Sequence, residues 1–247
     1  MQLGNYVCKE IENIVLCRSC MLHQFKKLFH VVTTRQNMEL DFSLESDSFR
    51  ILSNILGIEL DRMFFAKQVH GNVIKSVEEK DIKRGVVYTA DGLITNEKRI
   101  FLVMRFADCV PIIAYDSVKN VVGIAHSGWK GTLKDIPKKL ILSMVKKYNS
   151  NPENIFVSLG PSISPESFEV GIEVKNMFSN KFGEKYIDVK NGKFFIDLWG
   201  IIEDELFNIG VRNIEISMVD TIKFNKYFYS YRKEKTKKRF AVIVGLI

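Results

Sequence analysis

Short β-branched and aromatic runs recur along the chain at 29–34, 63–69, 99–104, 110–115, 121–125, 155–159, 211–217 and 240–246. Runs of this length and composition predict strands. Several are apolar at successive positions, the pattern of a strand covered on both faces. Three other segments repeat at helical spacing. In 47–56, Phe49, Leu52 and Leu56 share a face that Gly57 closes. In 132–148, Ile136, Leu140, Ile141, Met144 and Val145 form a stripe, with basic residues late, where they complement the helix dipole. In 197–209, Asp197 is placed to cap the start and Gly210 to end the helix. Strands arrive both in succession and separated by helices, which predicts an α+β class with mixed sheets rather than a strictly alternating, doubly wound fold. Five prolines, no Ser/Gly linker and no internal repeat leave no domain boundary, so residues 1–247 are expected to form one domain.

At 247 residues, folding would bury roughly 70–75% of the extended-chain surface, enough for a full core. A hydrophobic content of 46% against 26% charged residues excludes a disordered chain. The formal charge of +7 favours anionic partners such as phosphate. It is spread along the chain except for the cluster Lys233, Lys235, Lys237, Lys238 and Arg239, which follows Tyr227, Phe228, Tyr229 and Tyr231. Aromatics beside cations can bind RNA, but a solvated hairpin turn joining two final strands is the simpler reading, and no nucleic-acid partner is expected. There is no secretory-signal pattern, and no apolar run approaches the roughly 18 residues of a membrane span. The expected compartment is the cytoplasm, with the four cysteines as thiols rather than bridges. No G-x-G-x-x-G or Walker loop is present, which removes the main support for classical dinucleotide and P-loop functions.

Candidate chemistry gathers at strand ends, where a rigid scaffold delivers side chains to a cleft. His70 follows the run 63–69, His126 follows 121–125, and Cys109 lies just before 110–115. Imidazole and thiolate suit zinc, and three protein ligands leave a fourth position for water. The spacing matches no local zinc knuckle. A buried thiol with two hydrogen-bonded histidines therefore stays open, as does a structural site at Cys17 and Cys20 with His23 and Cys8. After His126, the segment Ser127-Gly128-Trp129-Lys130-Gly131-Thr132 leads into a predicted helix, and its glycines and Lys130 suggest an anion-binding turn.

Lys67-Gln68-Val69-His70-Gly71, Ala107-Asp108-Cys109-Val110-Pro111 and Ala125-His126-Ser127-Gly128-Trp129-Lys130-Gly131-Thr132 together resemble the YfiH family, also called laccase-domain or polyphenol oxidase-like proteins. Further similar segments follow in order: Thr33-Thr34-Arg35, Ala90-Asp91-Gly92-Leu93-Ile94-Thr95, Gly160-Pro161 with Phe168-Glu169-Val170-Gly171, and Phe228-Tyr229-Ser230-Tyr231-Arg232 with Arg239. The chain departs from the pattern at Gln36-Asn37 in place of a glycine pair, Ser162 and Glu166 in place of cysteines, Asp220 in place of a Cys-Thr pair, and Lys233 in place of a second arginine.

The resemblance implies a single-domain layered α-β-β-α sandwich with mixed sheets and a zinc site at His70, Cys109 and His126. It also implies phosphorolysis of adenosine, inosine, guanosine and methylthioadenosine, and hydrolytic deamination of adenosine. Its partners would be purine nucleosides and inorganic phosphate, not nucleic acid or a membrane. Cys109, His126 and Asp108 are then the catalytic candidates, although an extended strand would turn Asp108 away from Cys109. Arg35, Lys130, Arg232 and Arg239 are the candidates for phosphate, and Trp129 or Phe106 for the wall against the base. A copper-dependent laccase is the alternative cofactor reading, but four histidines cannot ligate a mononuclear and a trinuclear copper centre together. A single copper site with Met104 as axial ligand, a metal-free hydrolase with Cys109 as nucleophile and His126 as base, and a non-enzymatic or peptidoglycan-related role are the remaining alternatives.

Overall fold

The computed structural model describes residues 1–36, 47–84 and 88–247; Asn37, one of the departures noted above, lies outside them. All eight strand runs form strands, in two mixed sheets. The first sheet is ordered Gln2–Leu3, Tyr6–Ile11, Ile14–Ser19, Leu28–Thr33, Phe240–Leu246, Phe101–Phe106, Met63–Lys67 and Tyr88–Thr89. The second is ordered Asn213–Ile216, Ile155–Leu159, Val110–Asp116, Val121–Ser127, Gly92–Thr95 and Ile74–Ser76. Each sheet mixes parallel and antiparallel pairs. Boundaries shift where the backbone turns left-handed: Arg99 (φ 58°) delays the strand start to Phe101, and His70 (φ 56°) follows a strand that has stopped at Lys67.

The helices are α1 (Asp47–Leu56), α2 (Trp129–Leu133), α3 (Ile136–Tyr148), α4 (Ile172–Phe182), α5 (Leu198–Asn208) and α6 (Tyr231–Glu234). The helix expected over 132–148 is two. Asp135 is left-handed (φ 61°) and Pro137, lacking an N–H, occupies the first turn of α3, so the chain breaks and restarts there. Asp197 caps α5, its carboxylate accepting from Gly200 N at 2.8 Å. α4 leaves Ile172 and Met177 exposed and buries Phe178, too weak a stripe to stand out in the sequence.

Strand alternation divides the core into three layers. Ile113 and Tyr115 face the first sheet and pack with Leu102, Met104 and Val242, while Val110, Ile112 and Ala114 face α3 and α5, meeting Leu140, Ile141 and Ile202. On the far side of the first sheet, Phe49 and Leu52 of α1 cover Val31, Val103 and Ile243. This is the expected α-β-β-α sandwich. α3 approaches the second sheet closely at Gly123, where a Cβ would stand 3.0 Å from both Ile94 and Leu140.

Two expectations are overturned. Cys8 and Cys17 are not thiols but a disulfide: they face each other across an antiparallel hairpin with Cα atoms 4.0 Å apart. Cys20 and Cys109 are free. The basic cluster is not a hairpin turn between two strands, because it begins within α6 at Lys233 and leads from that helix into the last strand. Phe228 and Tyr229 upstream are buried and so offer no surface for stacking bases. Among the described residues, no helix is long and apolar enough to cross a membrane.

Leu140→Ala, beneath α3, is expected to destabilise the protein by about 2–5 kcal/mol, and Ile172→Ala on the exposed face of α4 by no more than about 0.5 kcal/mol. Denaturant midpoints measure both; similar losses would mean that α3 does not seal the core.

Candidate metal centre

The ligand atoms of His70, Cys109 and His126 lie within 4.8 Å of one another. Each arrives from a different strand end. Val121–Ser127 pairs with Val110–Asp116 in a register that sets Pro111 opposite His126 and Val110 opposite Ser127, so Cys109 meets the chain where it leaves the sheet at Gly128. A Cβ on Gly128 would stand 2.7 Å from Cys109 Sγ and 3.5 Å from the His70 ring. That glycine is required by the centre itself. The anion-binding turn expected here is not built: α2 has only five residues, and Lys130 is exposed and does not line the cavity described below.

A buried carboxylate organises the ligands. Asp91, fully buried, pairs through Oδ1 with His126 Nδ1 at 2.9 Å. It also accepts from the backbone N–H groups of Val69, His70 and Gly71 at 3.2, 3.0 and 2.7 Å. With Nδ1–H directed at Asp91, His126 presents Nε2 to the centre, and the left-handed His70 is pinned by its own backbone. Burial works against the charge on Asp91, but the His126 ring and the backbone donors outweigh it and hold the carboxyl below the usual range. Burial also pushes the Cys109 thiol up, yet the two histidines bring it down to about 6. Burial lowers His126, and Cys109 with Asp91 reverses this. A thiolate and two imidazoles, with a carboxylate behind one of them, form a donor set able to hold a metal ion.

The centre forms one wall of a cavity of about 670 Å³. Arg105, Arg232, Lys235, Lys237 and Arg239 line it, and Asp108 is the single carboxylate among the lining residues. Asp108 is not turned away from Cys109, because its φ of 79° breaks the extended alternation. Its two oxygens are nonetheless engaged, accepting from Thr221 Oγ1 at 2.7 Å and from Arg232 N at 2.6 Å, which ties the start of α6 to the cavity. Arg232 and Arg239 are brought together with the ligands; Arg35 is not. Its guanidinium is held by Glu234 at 2.7 Å and lies over the Tyr229 ring, outside the lining. Trp129 lines the cavity, whereas Phe106 is core, stacked on Phe240. Met104 is buried between the sheets and does not line the cavity, which removes it as an axial ligand.

Cys17 is bonded to Cys8, and Cys20 and His23 are exposed, so the alternative ligand set is not assembled. Asp91, Arg105, Gln68 and Phe168 were missed by sequence reasoning. Asp91 had a signal, a charged residue at the head of an apolar strand, but its partners at 69–71 and 126 are distant in the chain.

The sandwich and its His-Cys-His cluster define a laccase-domain protein. Residues 45–247 match the model of the family described as "Multi-copper polyphenol oxidoreductase laccase", and the chain belongs to that family. It is 41% identical over 125 residues to "Purine nucleoside phosphorylase YlmD" of Bacillus subtilis, a match covering 48% of this chain and 45% of that protein. It is 32% identical to "Purine nucleoside phosphorylase YfiH" of Escherichia coli, covering 73% of this chain and 72% of that one. The first of these matches thus spans under half of its relative's length. The crystal structure of YlmD from Geobacillus stearothermophilus superposes with a TM-score of 0.87 at 25% identity, over 98% of this chain and 99% of that one. Against the copper in the family's description, one group of three candidate ligands is present among the described residues, with His30 buried in the first sheet and His23 exposed.

Asp91→Asn keeps the shape of the side chain but removes its charge. It should weaken metal binding by about 10–100-fold in a chelator competition, and unchanged affinity would detach Asp91 from the centre. Gly128→Ala should lower metal content and activity together, since its Cβ displaces Cys109 Sγ. Full metal content in that variant would contradict the packing argument.

Proposed function

We propose that this chain is a zinc-dependent purine nucleoside enzyme that phosphorolyses adenosine, inosine, guanosine and methylthioadenosine and deaminates adenosine hydrolytically. The observation that carries the reading is the convergence of His70, Cys109 and His126 beside a cavity whose charged lining is almost entirely cationic. The relatives' names, both purine nucleoside phosphorylases, support purine nucleosides and phosphate as the substrate class. In this reading residues 1–247 act as one catalytic domain. The enzyme works in the cytoplasm, where free nucleosides and phosphate meet, without nucleic acid or a membrane as partner.

Two imidazoles and a thiolate favour zinc over harder ions. When bound, the ion supplies Lewis-acid polarisation of an oxygen presented to it. The remaining work falls to the chain. Ile163, Phe168, Leu198 and Trp129 give an apolar wall for the purine. Arg232 closes that wall, lying over the Phe168 ring at 5.5 Å and donating from Nη1 to Glu169 O at 2.8 Å. The lining cations hold phosphate for attack on C1′ of the ribose. The new C1′–O bond forms as C1′–N9 breaks, the bonding pair leaves with the base, and the proton carried by the hydrogenphosphate passes to the departing purine nitrogen, giving ribose 1-phosphate and free purine. Fixed positive charge around the anion is the largest contribution expected from the protein. Asp108, both oxygens engaged, acts by holding α6 and its basic segment over the site rather than as a proton donor.

The test is phosphate-dependent release of hypoxanthine from inosine before and after chelation. Activity should vanish with the metal and return with zinc, and alkylation of Cys109 should be slow in the loaded protein and fast after chelation. Activity indifferent to chelation would sink this reading and promote Cys109 and His126 as a metal-free nucleophile and base.

A further inference from the structure

Glu205 of α5 is an ionisable group that neither the metal centre nor the cavity engages. Its Oε2 is sealed from solvent and receives no hydrogen bond from any donor among the described residues. The carboxyl lies against that of Asp135, within hydrogen-bonding reach. Two ionised carboxylates cannot bond to each other, so the contact needs a proton on one of them. The surroundings decide which. Asp135 takes Lys181 Nζ at 2.5 Å, and the same ammonium donates to Leu133 O at 2.6 Å. Burial works against the charge on Asp135, but Lys181 and the hydrogen bond from Glu205 outweigh it and hold the carboxyl below the usual range. Burial, then the hydrogen bond to Asp135 and its charge, pushes Glu205 up to about 8. The proton therefore sits on Glu205.

The charges that face Glu205 come from three neighbouring elements: Asp135 at the corner between α2 and α3, Lys138 on α3 and Lys181 on α4. On its own helix, Asp204 is held instead by Lys185 Nζ at 2.7 Å and Tyr186 OH at 2.6 Å, and Glu203 is raised by burial and by Asp204 and Asp197. The corner itself is a constrained point. Asp135 is left-handed, a conformation that a residue with a side chain keeps where its surroundings fix it. α2 is little more than one turn, so its two ends are coupled: Asp135 N donates to Thr132 O at 3.0 Å, and Thr132 N to Gly128 O at 2.9 Å. Asn72 Nδ2 donates to Lys134 O at 2.7 Å, joining the corner to the turn that follows His70. At the other end of α2, Gly128 borders Cys109 and Trp129 lines the cavity.

We propose that Glu205 is a positioning residue: its protonated carboxyl, bonded to Asp135, latches the corner between α2 and α3 and so fixes Trp129 in the cavity wall, and loss of the proton releases both. The inference goes beyond the activity reading and does not depend on it. Once ionised, Glu205 and Asp135 carry like charges across a contact from which solvent is partly excluded, and their repulsion opens the corner. Lys181 offsets part of that repulsion from Asp135, the more exposed side, and leaves Glu205 without a donor of its own.

Nitrogen-15 indole NMR of the zinc-loaded protein tests it, because the chain has two tryptophans. The Trp129 Nε1 resonance, assigned through Trp129→Phe, should titrate with a midpoint at about 8. Trp199, whose Nε1 donates to Ser162 Oγ at 2.7 Å in the core, should stay still. Glu205→Gln keeps a neutral donor to Asp135 at every pH, so it should abolish the titration and leave Trp129 at its low-pH position. Asp135→Asn removes the charge that opposes ionisation and should lower the midpoint by about one unit or more. Thermal midpoints give a second readout. The folded chain holds this proton more tightly than the unfolded one, in which the glutamate ionises at its ordinary 4.5, so the wild type should lose stability relative to Glu205→Gln as pH rises from 4.5 to about 8, and lose no more above it. A Trp129 resonance that does not titrate, one that titrates equally in Glu205→Gln, or two indoles shifting together would overturn the latch. If Trp129 behaves as described but inosine is not cleaved in a phosphate-dependent way, the latch stands and the activity reading falls.

Discussion

A carboxylate sealed from solvent has to be answered by donors inside the protein, and Asp91 is answered by groups on and beside two of the candidate metal ligands. His126 gives it a ring nitrogen; Val69, His70 and Gly71 give it three backbone N–H groups. One buried charge therefore fixes a tautomer on one strand and a left-handed turn on another. The cost of burying Asp91 ties the two strand ends together, because releasing either leaves the charge unpartnered in a dry site. Cys109, Gly128 and the cavity wall follow from that arrangement.

The rest of the fold serves to hold these ends still. The central strands of both sheets are covered on two sides, which makes them rigid and leaves function to the segments that emerge from them. His70 leaves the first sheet, His126 the second, and Cys109 lies on the connection between Phe101–Phe106 and Val110–Asp116, which belong to different sheets. The centre sits where the two sheets exchange chain. The basic segment after α6 reaches the same place from the C-terminal side, anchored by the backbone of Arg232 on Asp108.

Much of this was legible from residue order. The core strands announced themselves because burial on both faces demands continuous apolar runs, and the three ligands stood out because they interrupt such runs with soft donors. What was illegible acts through space or lacks the usual signals. The hairpin Tyr6–Ile11 and Ile14–Ser19 turns through Glu12 and Asn13, both left-handed, without the glycine that marks such turns. Its Cys8–Cys17 bridge depends on cross-strand register, which nine residues of separation do not reveal. Asp91 and Arg105 sit in apolar surroundings with partners far away in sequence. The glycines after His126 pointed to phosphate for a sound general reason, but the space at Gly128 is taken by Cys109 Sγ.

The claim on which the account turns is that one zinc ion is held by these three side chains. X-ray absorption at the zinc edge on protein purified without added metal tests it directly. The account predicts one ion per chain with a sulfur at about 2.3 Å and two nitrogens at about 2.0–2.1 Å, the sulfur shell disappearing in Cys109→Ser. A zinc shell without sulfur in the wild type, or a sulfur shell that survives Cys109→Ser, would contradict it.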